Sequence, residues 1–105
     1  MTITTTYASQ NKRQITVFTE TGVSPAFRMA GEFDAGVAGV TAGGGTAKIQ
    51  RCYDTTINNA SVYRDVESYT ADAEEIGQHG AGIGAWYRWN VTYVGGTVTC
   101  EFRRQ

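Results

Sequence analysis

Hydrophobic and polar residues alternate with a period of two through most of the C-terminal half of the chain. In AWYRWNVTYV (85–94), Tyr87, Trp89, Val91 and Tyr93 fall on one side and Trp86, Arg88, Asn90 and Thr92 on the other, as a half-buried strand requires. Gly95-Gly96 follows, and Val98, Cys100 and Phe102 resume the alternation in TVTCEFRRQ. The arrangement predicts a β-hairpin closed by a two-residue glycine turn. Upstream, the same reading gives a strand over 14–20, with Ile15, Val17 and Thr19 on one face although Phe18 interrupts the pattern, and another over 26–33, with Phe27, Met29, Gly31 and Phe33 in phase. The glycine-rich 34–45 is expected as a connection holding a short edge strand at 37–40. Residues 47–54 form a strand with Ile49, Arg51 and Tyr53 in phase, Asn58-Asn59 tips a turn, and 62–71 forms another strand. DAEEIGQHGAGIG (72–84) reads as a loop whose centre has room for one helical turn before its glycines stop it.

These elements predict an all-β fold: a single compact antiparallel β-sandwich or barrel-like domain of about seven strands over 14–105, preceded by a polar, Thr-rich N-terminal arm over 1–13. Ile3 and Tyr7 are the only large apolar residues of that arm. They become interface candidates if the arm orders on a neighbour. A chain of 105 residues with 13 glycines and one proline fits one such domain and disfavours Pro-rich disorder.

Charge narrows the partners. Nine basic and ten acidic residues give a formal charge of -1, far from the basic footprint that binding nucleic acid needs. No apolar stretch approaches the roughly 20 residues of a membrane helix. MTITTTYASQNKRQ lacks the basic start and apolar run of a signal peptide, so none is expected. Cys100 shares phase with Val98 and Phe102 whereas Cys52 falls opposite Ile49, so two free thiols are expected, in keeping with assembly in a reducing cytoplasm.

Catalytic and cofactor chemistry finds little support. GAGIG (80–84) and AGGG (42–45) resemble phosphate-binding loops, but GAGIG is followed by a strand where an anion-binding helix is needed. His79 is the only histidine and has no second imidazole with which to build a metal site. The carboxylates Asp65, Glu67, Asp72, Glu74 and Glu75 lack the rhythm of a calcium loop and read as a solvated face. Neither a metal nor a cofactor is expected, and no enzyme activity. Arg51 and Arg88 are expected to pair with Asp54, Asp65 or Glu67. Trp86, opposite in phase to Tyr87 and Trp89, should stand on the outer face as an interface anchor or sugar-stacking platform.

The order of IQRCYD, YRDVESYTADAE, YRWNVTY and GGTVTCEFRRQ resembles small all-β virion proteins of tailed bacteriophages. The matching positions are Gln50, Arg51, Tyr53 and Asp54, then Asp65, Val66, Ser68, Tyr69, Thr70 and Ala71, then Tyr87 and Arg88, and finally Gly96 and Thr97. The resemblance implies a structural role in a virus particle assembled in the host cytoplasm, most directly as a capsid decoration or cement protein. Such a protein would bind the major capsid protein on the outer surface of the shell, as a homotrimer. A carbohydrate- or receptor-binding module of a tail or fibre is the alternative.

Overall fold

The computed structural model describes residues 3–54 and 56–104, with side chains described outside 75–83. Its strands are β1 (Ile3–Ala8), β2 (Arg13–Phe18), β3 (Gly22–Val23), β4 (Phe27–Ala38), β5 (Thr46–Cys52), β6 (Arg64–Tyr69), β7 (Ala73–Thr92) and β8 (Val98–Arg103), with one helical turn, α1 (Val40–Gly43), between β4 and β5. All pairings are antiparallel, in one continuous sheet of order β1-β2-β8-β4-β7-β5-β6, with β3 continuing beside β7. The all-β, compact antiparallel architecture expected from the alternation is the one observed.

The sheet coils so that its inner face surrounds one core. Tyr87, Trp89 and Val91 of β7, Phe33 and Val37 of β4, Ile49 of β5, Val98, Cys100 and Phe102 of β8, and Phe18 of β2 belong to a single buried cluster. Phe102 stacks on Trp89 at 5.1 Å between ring centroids and meets Phe33 edge-on at 5.7 Å. Curvature comes from β4 and β7, whose register slips three times between Met29 and Ala35. Gly31 and Gly84, at φ of 71° and 83°, lie where the slippage begins, and such bulges bend a sheet.

Several expectations need correction. Residues 73–84 are strand, not loop: their backbone forms much of β7 and pairs with β4, and only Asp72 of the expected 72–84 loop lies outside it. Of the expected 37–40 edge strand, Val37 and Ala38 are the end of β4, which lies between β7 and β8 in the centre of the sheet, and Val40 opens α1. It follows that β7 and β8 are not a hairpin; β4 separates them, and Gly95-Gly96 carries the chain across its end. The 1–13 arm contains β1, a full strand paired over six residues with β2.

The phase of β2 is also reversed. Gln14, Thr16 and Phe18 are buried, while Ile15 and Val17 are only half-buried. The polar inner positions are accommodated by partners: Gln14 Nε2 donates to the Pro25 carbonyl (3.0 Å) and to Tyr7 Oη (3.3 Å), and the Thr16 and Thr5 hydroxyls share a hydrogen bond (2.9 Å). Both cysteines are free and buried. Cys100 lies in the core, and Cys52 pairs in register with Trp86 on the opposite face.

Candidate functional site

Two of the three interface candidates come together. Tyr7, near the end of β1, and Trp86, in the middle of β7, line one cleft of about 430 Å³ with Asn11, Ala26, Phe27, Arg28 and Arg104. Ile3 does not join them. At the other end of β1 it pairs with Phe18, packs against the core and covers Gly22.

The cleft follows from local structure. Phe27 is buried, so alternation turns Arg28 outward, in register beside Trp86. The Arg28 guanidinium lies 5.7 Å from the Trp86 ring and makes a long hydrogen bond of 3.5 Å to the Asp54 carbonyl. Its stem gives Trp86 the partial cover that leaves the indole half-buried. Arg104 is held more firmly. Its backbone N–H donates to the Lys12 carbonyl (2.8 Å), its guanidinium sits 4.3 Å over Phe27, and one Nη donates to the Arg28 carbonyl (2.6 Å).

Tyr7 is 47 % exposed, with its ring 6.0 Å from Phe27. The Pro25 carbonyl can only accept, which fixes the Gln14 amide with its NH₂ toward both Pro25 and Tyr7. The Tyr7 hydroxyl therefore accepts from Gln14 and keeps its own proton to donate into the cleft. Asn11 reaches the site from a turn in which Ser9, Gln10 and Asn11 all take positive φ, 54° to 64°. Three successive non-glycine residues in that region store strain where the β1–β2 connection borders the cleft.

Elsewhere, Arg51 and Arg88 stack on Tyr53 and Tyr63, at 4.9 and 3.8 Å, in place of the expected carboxylates. Arg88 Nε also donates to Gln50 Oε1 (2.9 Å). Asp65 is engaged by Gln50 Nε2 (2.8 Å) and Lys48 (3.4 Å), and these hydrogen bonds, Gln50 first, hold its pKa below the usual carboxylate value. Arg13 pairs with Glu101, and Arg103 with Glu74 (2.8 Å) and Glu101 (3.4 Å).

No catalytic constellation is assembled among the described residues. Burial pushes the Cys100 thiol far above its ordinary pKa, which disfavours a thiolate nucleophile. Among the described residues no group of three potential metal ligands converges, and none of their helices is long and apolar enough to cross a membrane. The side chains of His79 and Glu75 lie outside the described residues.

Sequence reasoning missed Arg28, Arg104 and Asn11. The outward phase of Arg28 was readable beside Phe27 and Met29, but only the fold brings the C-terminal Arg104 across to it. Comparison with known protein families, curated proteins and solved structures finds no match for this chain, so the reading of its site rests on the residues themselves.

Proposed function

We propose that this protein is a non-enzymatic structural component of a tailed-phage particle, a capsid decoration protein that docks on the outer surface of the shell through the Tyr7–Trp86 cleft. The observation that carries the reading is the convergence of Trp86, Tyr7, Arg28 and Arg104 on one surface. Tryptophan, tyrosine and arginine are the residues that dominate binding energy at protein interfaces. They stand on a rigid scaffold, with Trp86 on an interior strand of the sheet and Arg104 pinned by three contacts. The resemblance at 47–105 to phage virion proteins supplies the partner, the major capsid protein. Binding only the assembled shell would stabilise it by mass action.

Co-sedimentation with expanded empty capsids tests the reading. Trp86→Ala or Tyr7→Ala should weaken attachment by about 2 kcal/mol, the scale of an interface hot spot, while leaving the fold intact. Attachment unchanged in both variants would overturn it. The pairing of two aromatic rings with Asn11 in one cleft also favours a second reading, a glycan-binding module of a tail or fibre. Glycan-array binding lost with Trp86→Ala, together with no affinity for capsids, would establish that alternative.

A further inference from the structure

We propose that the Tyr7–Trp86 cleft is a receptor for an acidic peptide segment, whose carboxylate it takes between Arg28 and Arg104. This inference rests on the docking role of the cleft and specifies the chemistry of what docks there.

Charge complementarity is the first argument. Arg13, Arg103 and Lys48 are each matched by a carboxylate of this chain. Arg28 and Arg104, like Lys12, Arg51, Arg64 and Arg88, make no ion pair among the described residues, and these two share a cleft whose described lining holds no acidic residue. Two guanidinium groups on one small surface of a chain with net charge -1 form a local positive site on a protein with no general affinity for anions.

Geometry is the second. Each guanidinium lies against a ring, Arg28 by Trp86 and Arg104 over Phe27, which leaves the N–H edges free to fork onto a carboxylate. Arg104 spends one Nη on the Arg28 carbonyl, and Arg28 makes only a 3.5 Å contact to Asp54, so most of their ten N–H donors are uncommitted. The Tyr7 hydroxyl adds a further donor, as argued above. Beside these donors, Trp86 and Ala26 offer apolar surface to the rest of a side chain. Donors held in place before binding, next to apolar surface, suit a peptide bearing a carboxylate between apolar neighbours. Arg104 also borders Lys12, Arg13 and Arg103, but Arg13 and Arg103 are already paired with Glu101 and Glu74, so three unpaired cations are on offer, few for a polyanion, whose affinity grows with the number of charges neutralised.

The test is a library of acetylated, amidated pentapeptides with Glu or Asp at the centre and apolar residues on either side, assayed beside the same library with Gln or Asn. Binding is followed by titration calorimetry on the full chain. At least one acidic peptide should bind at least tenfold more tightly than its amide counterpart, and added salt should weaken it. Arg28→Gln and Arg104→Gln should each reduce that binding at least tenfold, whereas Arg88→Gln, outside the cleft, should leave it unchanged. Arg104→Lys, which keeps the charge but loses the fork, should recover only part of it, and thermal melting checks that each variant is folded.

No saturable binding by any acidic peptide at about 1 mM, equal binding of acidic and amide peptides, or displacement by inorganic phosphate or a sulfated hexasaccharide at lower concentration would each overturn the inference. Its failure is separable from failure of the docking role. Capsid attachment that needs Trp86 but ignores both arginines overturns only the carboxylate site, and peptide binding without capsid attachment overturns only the virion role.

Discussion

Trp89 and Trp86 stand three residues apart on β7 with opposite fates. Trp89 is fully buried, stacked on Phe102 and 6.0 Å from Tyr69, while Trp86 faces outward beside Arg28. Truncating Trp89 to Ala should cost about 3–5 kcal/mol in urea denaturation, a large share of the roughly 5–15 kcal/mol available to a domain. Trp89→Phe should cost markedly less, because the indole N–H has no partner among the described residues and its removal relieves a buried unsatisfied donor. Trp86→Ala should leave the midpoint close to that of the parent; a greater loss there than at Trp89 would reverse the inside–outside assignment of β7. Phase on β7 and β8 was legible because large apolar residues alternate with polar ones without a break. On β2 it was not. Hydropathy favours Ile15 and Val17 as the inner residues, yet Gln14 and Thr16 face inward, where Pro25, Tyr7 and Thr5, contributed by other segments, engage the Gln14 NH₂ and the Thr16 hydroxyl, although Gln14 Oε1 stays buried without a partner among the described residues.

At the scale of elements, what misled the sequence reading was glycine. Gly95-Gly96 has the composition of a hairpin turn, but a turn signal does not specify which strand pairs with which, and β4 occupies the edge of β7 that β8 would need. The glycines serve a crossing. A Cβ on Gly43 of α1 would stand 2.1 Å from the Gly95 carbonyl oxygen, so the two segments approach backbone to backbone. Alanine gains up to about 1 kcal/mol of helix propensity over glycine, whereas a forced backbone shift costs up to about 3 kcal/mol, so Gly43→Ala should be net destabilising. Gly31→Ala, at positive φ but with no atom within 4 Å of the new Cβ, should cost only about 1 kcal/mol. Thermal melting of the pair separates crowding from backbone strain.

The connection between β6 and β7 is tied to the same helical turn. Asp72 Oδ1 accepts from Val40 N–H (2.8 Å) and Thr41 N–H (3.0 Å), and the Asp72 N–H donates to the Thr41 hydroxyl (2.8 Å). Backbone hydrogen bonds, that from Thr41 foremost, hold the Asp72 pKa below its ordinary value. The unfolded chain then binds the proton more readily than the folded one, so this stabilisation is fully present above an unfolded carboxylate pKa of about 3.9 and is lost as pH falls through the lower folded value. Asp72→Asn should lower stability at neutral pH and flatten the decline below about pH 4, as urea midpoints measured across pH will show. A decline as steep as that of the parent would place the acid sensitivity at other groups.

On the scale of the whole molecule, the main strand path ends, among the described residues, in β6 and β1, two edges of different character. The terminal strand β6 carries Arg64, Asp65 and Glu67, charges of the kind that blunt an edge against unwanted pairing. The other terminal strand, β1, reads ITTTYA, with no charge and no proline, and exposes Thr4 and Thr6. An open, uncharged strand of six residues is a template for main-chain pairing with another chain. The homotrimer that the resemblance to phage virion proteins implies would use the edge of β1 against a neighbouring subunit, beside the cleft that Tyr7 of the same strand helps to line. Thr4→Lys with Thr6→Lys places two ammonium groups on that strand without disturbing the Thr5–Thr16 hydrogen bond or the Gln14–Tyr7 contact. In sedimentation equilibrium the parent should behave as a trimer and the double variant as a folded monomer, since lysines on an edge strand oppose its pairing with another chain whatever surface of the neighbour it meets. A double variant that remains trimeric would remove β1 from the subunit contact, and a parent that stays monomeric both in solution and on capsids would remove the trimer.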